Sequence, residues 1–397
     1  MKVVKMVLVA VMIVLLGFSE VIAQEAFELK VPLPLTGKNK KFGEIIQNSA
    51  ILALEEFNAT GGFKKGILKG KQFKMVFEDD GTDPAKVLEI VNRLIIEEKQ
   101  PVILGVYGSD SSWEAAQATS KLGIPFIVCY GAANKIGEQG WTNIFRIQPP
   151  AKEYLGGLTD FLKKVVEPKT VAILYEPSSY GKSTAESMRT FCAKEGLTVV
   201  HDASYDAAQT DFRQLLMEVR GKNPDVVFMV SYNIDGILLM KQSMELKLNP
   251  KIFAGGAAGF VLPNFTEQAG AAAENVVTSN LWAYTLKYPG AKEFAEKYKE
   301  RYGEYPSYHG ALSYSSITVL VDALERTVSL APADIIAALD ATNIMTVFGL
   351  VEFTDYDGFT NQNKTATIVM QVQNGKLVSV WPEAVAETKY IYPVPKW

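Results

Sequence analysis

Short apolar runs with β-strand character alternate with amphipathic helical segments along most of the chain. Residues 43–59 carry apolar side chains every three to four positions, which predicts a helix with one buried face. Asp83 followed by Pro84 is typical of a helix start, because aspartate accepts from free backbone N–H groups and proline lacks one. Repeated strand–helix units of this kind predict a parallel sheet with helices on both faces.

The strand–helix pattern occurs as two successive series, which predicts two doubly wound α/β lobes. A capping-box pattern at residues 111–114 predicts the start of a helix that ends near Gly123. Residues 351–376 have β character with a turn at Asn374-Gly375 and could complete either lobe. The predicted strands are 27–33, 72–77, 102–107, 125–129, 170–175, 198–203, 225–230 and 251–254, and the predicted helices of the second series are 181–195, 211–220 and 234–246.

The first 23 residues have the layout of a secretory signal peptide. A basic start at Lys2 and Lys5 precedes an apolar run over residues 6–18, and Ala23 offers a cleavage position. The run is shorter than the roughly 20 residues of a spanning helix, and no cysteine stands at the cut for lipid attachment. We therefore expect an exported, soluble periplasmic protein whose remaining length suits two domains.

Charge and composition argue against several partners and cofactors. The net charge of −4 gives no reason to expect nucleic acid or direct insertion into an anionic membrane. The two histidines, His201 and His309, have no metal-ligand spacing to another His or Cys. We expect neither a metal ion nor a cofactor.

Five loops that follow strands are the candidate site, because ligands of open parallel sheets bind beyond the carboxyl ends of the strands. Glycines there let the backbone approach a ligand, and tyrosines offer flat apolar walls with a polar tip. Ser109 is the sharpest candidate, since it precedes a helix start that can hold an anion, although a serine there could simply cap the helix. The loops are Tyr107-Gly108-Ser109, Tyr130-Gly131-Ala132-Ala133, residues 175–180, Ser231-Tyr232 and Gly255-Gly256.

Several motifs in sequence order give the chain a family resemblance. It resembles the branched-chain amino-acid binding proteins of bacterial ABC importers, which have the type I periplasmic binding fold. The resemblance covers nearly all of the chain after residue 23. Its marks are Pro34-Leu35-Thr36-Gly37, Asn58-Ala59-Thr60-Gly61-Gly62, Asp79-Asp80-Gly81-Thr82-Asp83-Pro84, Gly131-Ala132-Ala133-Asn134, Tyr180-Gly181 and Ala323-Leu324-Glu325-Arg326.

The resemblance implies two lobes that are joined by three crossing segments and close on a ligand by a hinge. It implies crossings near residues 145–150, 281–286 and 348–352. A monomer that delivers its ligand to an ABC permease in the inner membrane is the family expectation. The implied limits are 24–147 plus 283–350 for the first lobe and 148–282 plus 351–397 for the second, which puts Cys129 and Cys192 on opposite lobes without a disulfide.

The resemblance also assigns roles at the site. The Ser109 hydroxyl and the Ala133 backbone N–H would hold the ligand carboxylate. Tyr180 and Tyr232 would close over the ligand from the second lobe, and Phe42 and Tyr107 would line its side-chain end. The full candidate set is Phe42, Tyr107, Gly108, Ser109, Ala132, Ala133, Tyr180, Tyr232, Asp235 and Gly256.

Gly256 departs from the family pattern, because amino-acid binders commonly have an acidic residue there to hold the ligand ammonium. Asp235 and Asp110 are the candidates to replace it, and the alternative for each is a solvated carboxylate at a helix start. Two ligand hypotheses follow: a hydrophobic or branched-chain amino acid, and an aromatic or aliphatic carboxylate without an amine. The rings that would suit an aromatic acid are Tyr107, Trp113, Tyr130, Tyr180, Tyr232 and Trp282.

Two other functional classes are disfavoured by the sequence. It contains no G-x-S-x-G, P-loop or strand-linked G-x-G-x-x-G motif, and we place neither His201 nor His309 at the predicted site, so we do not expect an enzyme. A ligand-sensing domain would use the same fold, but the chain after residue 18 has no spanning segment or signalling domain.

Overall fold

The computed structural model describes residues 26–397, so the predicted signal peptide lies outside the described residues. Strands and helices alternate through most of this length, as the sequence pattern predicts. The strands are β1 Ala26–Leu33, β2 Gln72–Asp79, β3 Ile103–Tyr107, β4 Phe126–Tyr130, β5 Ile144–Arg146, β6 Thr170–Tyr175, β7 Thr198–Ser204, β8 Val226–Val230, β9 Ile252–Gly255, β10 Val277–Asn280, β11 Asn343–Thr346, β12 Gly349–Glu352, β13 Thr354–Tyr356, β14 Phe359–Gln362, β15 Ile368–Gln373 and β16 Lys376–Trp381.

Helices cover both faces of the sheets. Several begin or end where the sequence predicts, and α2 starts as expected, with the Asp83 side chain accepting from Ala85 N at 2.9 Å. The helices are α1 Lys40–Ala59, α2 Pro84–Ile96, α3 Ser109–Leu122, α4 Ala151–Tyr154, α5 Gly156–Phe161, α6 Ser179–Glu195, α7 Arg213–Lys222, α8 Asn233–Glu245, α9 Pro263–Ala269, α10 Ala291–Tyr302, α11 Tyr308–Arg326 and α12 Pro332–Asp340.

The first sheet has the order β13-β14-β5-β4-β3, and the parallel pair β1-β2 lies beside it. A side chain at Gly105 of β3 would meet Val31 of β1 at 3.2 Å, which shows how closely the two strands pack. The Gln100 side chain bonds both backbone groups of Lys30 and so fixes β1 against this sheet. We call these strands and their helices, including α10 and α11, the first lobe.

The second sheet has the order β16-β15-β10-β9-β8-β6-β7. Its five strands from β6 to β10 are parallel, and β15 and β16 join at one edge in antiparallel orientation. We call this sheet and its helices the second lobe. The prediction of two doubly wound, largely parallel sheets is confirmed.

The third crossing between the sheets corrects the sequence prediction. Strands β13 and β14 pair in the first sheet, and β15 pairs in the second, so the chain crosses over residues 363–367 rather than 348–352. Residues 354–362 consequently belong with the first sheet, although the implied limits gave 351–397 to the second lobe. Alternating β character cannot tell which sheet a strand will join, because that depends on the long-range partner.

The start of α3 also differs from prediction. The helix begins at Ser109 rather than at Ser111, and Gly108 precedes it with φ +92°, a conformation that favours glycine. No side chain caps this end of the helix. Ser111 therefore lies inside the first turn, and the backbone turns sharply enough to place Ser109 at the carboxyl end of β3.

Candidate functional site

A small cavity of about 20 Å³, room for about one water molecule in this arrangement, lies between the two lobes. The first lobe supplies residues after β3 and β4 and at the start of α11, and the second lobe supplies residues after β6 and β8. Among the residues that the structure describes, no charged side chain lines this cavity. The lining residues are Tyr107, Gly108, Ser109, Tyr130, Ala132, Gln148, Tyr154, Tyr180, Tyr232, Tyr308 and His309.

Helix N-termini converge on the cavity from both lobes. Ser109 is the first residue of α3, Tyr308 is the first of α11, Tyr180 is the second of α6, and Tyr232 immediately precedes α8. Each helix N-terminus carries a partial positive charge from its unpaired N–H groups. A cavity that has no charged side chain on its wall and lies at several helix N-termini favours the binding of an anionic group.

Ser109 and Ala133, the predicted carboxylate contacts, bond to each other. The Ala133 backbone N–H donates to Ser109 Oγ at 3.0 Å, and both residues are buried. The Ala133 N–H is therefore occupied in this arrangement, whereas the Ser109 hydroxyl proton remains available for a ligand acceptor. Ala132 lines the cavity, while Ala133 lies behind it.

Arg146, at the end of β5, is a fully buried cation beneath residues 131–133, the loop that follows β4. Its Nη1 donates to the carbonyl oxygens of Gly131, Ala132 and Ala133 at 3.2, 3.3 and 2.8 Å. Burial lowers the pKa of its guanidinium to about 10, so it stays charged at neutral pH. In the described part of the chain, no carboxylate forms an ion pair with Arg146. The carboxylates of Glu153 and Glu138 act on the guanidinium through space and offset part of its charge.

Aromatic rings form the walls and connect the lobes. The Phe42 ring stacks on Tyr107 at 4.9 Å between centroids and meets Tyr232 of the second lobe edge-on at 6.2 Å. Tyr180 lies 5.9 Å from Tyr232, and its hydroxyl donates to the Gly256 carbonyl. Burial raises the pKa of the Tyr107, Tyr180 and Tyr232 hydroxyls well above the usual value, so they remain protonated.

His309 corrects a sequence prediction, because it lines the cavity although we placed neither histidine at the site. Its ring stacks on Tyr308 at 3.9 Å, and its Nδ1 lies 3.1 Å from Ser307 Oγ. Burial lowers the pKa of His309 to about 3, so the ring is neutral at physiological pH. It contributes a flat polar wall without a charge.

The candidate acidic residues lie outside the cavity lining. The carboxylate of Asp110 accepts from the Ser179 hydroxyl across the lobes, and Asp235 is 3.5 Å from the Tyr205 hydroxyl. A side chain at Gly256 would point toward Thr184 and Phe228 in the second lobe, at 3.2 and 3.3 Å. These positions do not place an acid on the wall in this arrangement.

The structure brings together most of the predicted site residues. Tyr107, Gly108, Ser109, Ala132, Tyr180 and Tyr232 line the cavity, and Phe42 backs Tyr107. Asp235 and Gly256 do not line it.

Two predicted aromatic candidates are wrong for this cavity. Trp113 packs on Trp141, and the buried Trp282 donates to the Val347 carbonyl at 2.8 Å. Neither ring lines the cavity.

Sequence reasoning missed Gln148, Tyr154, Tyr308 and His309. The strand-end rule that selected Ser109 also applies to Gln148, two residues beyond β5, but β5 has only three residues and was not recognised. Tyr308 and His309 begin a helix for which no start was predicted.

The chain belongs to the periplasmic binding protein family, whose model matches residues 31–376. A curated relative, Leu/Ile/Val-binding protein homolog 7 of Brucella suis biovar 1 (strain 1330), is 30% identical over 377 residues, covering 91% of this chain and 92% of the relative. The family consists of substrate-binding transport proteins rather than enzymes.

Two solved structures share the type I periplasmic binding fold with this chain. The branched-chain amino acid transporter substrate binding protein LivJ from Streptococcus pneumoniae, in complex with isoleucine, has a TM-score of 0.79 and 23% identity, covering 89% of this chain and 98% of that one. An ABC transporter solute binding protein from R. palustris, in complex with benzoate, has a TM-score of 0.79 and 19% identity, covering 92% and 98%.

Three further properties concern residues 26–397. None of their helices combines the length and apolar character needed to cross a bilayer. No cluster of three or more His, Cys, Asp or Glu side chains is arranged to hold a metal ion. Cys129 in β4 and Cys192 in α6 are both free and buried.

Proposed function

We propose that this protein is the exported, periplasmic substrate-binding component of an ABC importer and that it captures a small carboxylate without an amine, either aromatic or aliphatic. The observation that best supports this proposal is the lining of the interlobe cavity, which has hydroxyl and amide groups, several tyrosine rings and, among the described residues, no charged side chain. Family membership supports the transport role, and a permease in the inner membrane is the partner we propose.

Electrostatics supports the amine-free ligand. An amino acid would bring an ammonium as well as a carboxylate into the cavity, and burying an unpaired ammonium costs several kcal/mol. Arg146 beneath the loop and the N-termini of α3 and α11 favour negative charge there. A monoanion needs only the donors already present, whereas an ammonium would need a carboxylate on the wall.

A branched-chain amino acid is the second candidate. The Asp110 and Glu176 carboxylates help to raise the pKa of the cavity-lining Tyr232, so their negative potential reaches the site. Both have protein partners: Asp110 accepts from Ser179, and Glu176 accepts from Ser178 N and Gly181 N at 2.9 and 3.0 Å. An ammonium would have to compete with those bonds.

For transport we propose a hinged, open–closed mechanism. Contacts from both lobes surround the cavity, so a ligand completes its contacts only when the lobes are together and shifts the equilibrium toward that arrangement. The crossing segments are tied to each other, because Asn363 Nδ2 donates to the Ile147 carbonyl at 2.9 Å and the Asn363 N–H donates to the Arg146 carbonyl at 3.0 Å. The closed form would be the one that a permease recognises.

Thermal melting of the mature protein tests the ligand class. Benzoate, 4-hydroxybenzoate and aliphatic acids are compared with leucine and isoleucine at equal concentration, because native-state binding raises the melting temperature by mass action. We expect an increase with one or more amine-free acids and none with the amino acids. An increase with amino acids alone would replace the first candidate by the second, and calorimetric titration would give the affinities.

A further inference from the structure

Gln148 is a buried amide in the cavity wall with one of its two polar ends unused. Its side chain is 1% exposed and lies just beyond β5, at the crossing between the lobes. Its Oε1 accepts from the Tyr154 hydroxyl at 2.8 Å, whereas its Nε2 has no hydrogen-bond partner. Buried polar groups nearly always have a hydrogen-bond partner, so the Nε2 group is a donor that is available to an acceptor on a ligand.

The charged groups near Gln148 indicate that this acceptor carries negative charge. Arg146, two residues earlier, is a buried cation with no carboxylate ion pair in the described residues. No acidic side chain lines the cavity among residues 26–397. An acceptor with negative charge would give the Gln148 amide its missing partner, and it would add to the attraction that Glu153 and Glu138 already exert on the guanidinium.

The sheet order places Gln148 at the same edge as Ser109. Strands β3, β4 and β5 are consecutive parallel neighbours, and Ser109, Ala132 and Gln148 follow them in that order. Neighbouring strands are about 4.8 Å apart, so the ends of β3 and β5 are separated by roughly 10 Å. Both side chains line the one cavity, with Ala132 between them.

We propose that Gln148 is a ligand-binding residue whose Nε2 donates to the ligand carboxylate, as a second side-chain donor beside the Ser109 hydroxyl. Tyr154 orients the amide by holding its oxygen, and Arg146 supplies the buried positive charge. This inference rests on the proposed function, since it needs a carboxylate ligand, but it applies equally to an amine-free acid and to an amino acid.

The test uses calorimetric titration of the mature protein with benzoate or isoleucine, whichever the unmodified protein binds. Gln148→Met keeps the side-chain length and removes the donor, and we expect a loss of affinity of about 10- to 100-fold, the value of a hydrogen bond to a charged group. Gln148→Glu is nearly isosteric and places an acceptor with negative charge there, so we expect no measurable binding. Gln139→Met, at an exposed position outside the cavity, is the matched control and should leave affinity unchanged.

Each outcome separates the inference from the proposed function. Unchanged affinity in Gln148→Met, or retained affinity in Gln148→Glu, would overturn the role of Gln148 and leave the transport proposal standing. Failure of the unmodified protein to bind any carboxylate would overturn both. Circular dichroism and thermal melting without ligand show whether each variant is folded. A Gln148→Asn variant retains an amide donor and should therefore bind more tightly than Gln148→Met.

Discussion

A hydrogen bond between the lobes gives the sharpest prediction about closure. Asp110 is the second residue of α3 in the first lobe, and Ser179 is the first residue of α6 in the second. The Ser179 hydroxyl donates to the Asp110 carboxylate, and the Ser179 backbone N–H lies 3.4 Å from both carboxylate oxygens. The carboxylate thus stands at the N-termini of two helices, where negative charge is favoured. Opening the lobes would break this contact.

The magnitude follows from the kind of bond. A hydrogen bond to a charged group contributes about 1.5–3 kcal/mol, and the half-exposure of both residues places this one near the lower limit. Removing it should destabilise the closed form by about 1.5 kcal/mol and raise the ligand dissociation constant about tenfold. Because neither side chain lines the cavity, the factor should be the same for every ligand that the protein binds.

A double-mutant cycle measures this contact. Asp110→Ala and Ser179→Ala should each weaken binding in calorimetric titration, and the double variant should be weaker by clearly less than the sum. Ser183→Ala, also on α6 but away from Asp110, is the control and should bind normally. Additivity of the two losses to within about 0.3–0.5 kcal/mol would refute a direct bond in the closed form. A loss that differs between ligands would instead indicate contact with the ligand.

Three more predictions concern single side chains. Ser109→Ala should weaken carboxylate binding by about 1.5–3 kcal/mol in calorimetric titration, and an unchanged affinity would leave Ser109 only its bond to Ala133. Asp80 is buried with Oδ2 unpaired, and burial raises its pKa from 3.8 to about 6, so the folded state loses up to about 3 kcal/mol as pH rises from 3.8 through 6. Asp80→Asn should accordingly raise the melting temperature at pH 7.5 but not at pH 4, and an equal change at both would contradict this. Tyr180→Phe leaves the Gly256 carbonyl without its partner, so unfolding by urea should show a loss of about 1–3 kcal/mol, and an unchanged midpoint would contradict it.

One acidic residue of the first lobe has a structural role. Asp79, at the end of β2, accepts from the backbone N–H groups of Leu35, Thr36 and Gly81 at 2.9–3.0 Å. Its hydrogen bond with the Thr36 hydroxyl is the main cause of the lowered pKa of this carboxyl. The carboxylate therefore joins the loops after β1 and β2, outside the cavity, and needs no catalytic interpretation.

The sequence by itself determined the periodic strands and helices and much of one wall of the site. Apolar spacing and helix-start residues are local, so elements such as α2 and α6 could be predicted nearly to their ends. The strand-end rule identified Ser109 and Tyr232 because parallel strands deliver their carboxyl ends to one edge. Gly256 could be identified as lacking the acidic side chain of amino-acid binders, but the direction that a side chain at this position would take could not be predicted.

Only the tertiary structure decided which sheet the last strands join and which distant residues meet. Strand β14 pairs with β5 and β13 pairs with β14, and Tyr308 and His309 reach the cavity from a helix far along the chain. The unpaired donor of Gln148 and the burial of the Arg146 guanidinium likewise exist only once the chain is packed. These properties depend on long-range partners and burial, which no local pattern encodes, and they are what define the chemistry of the cavity.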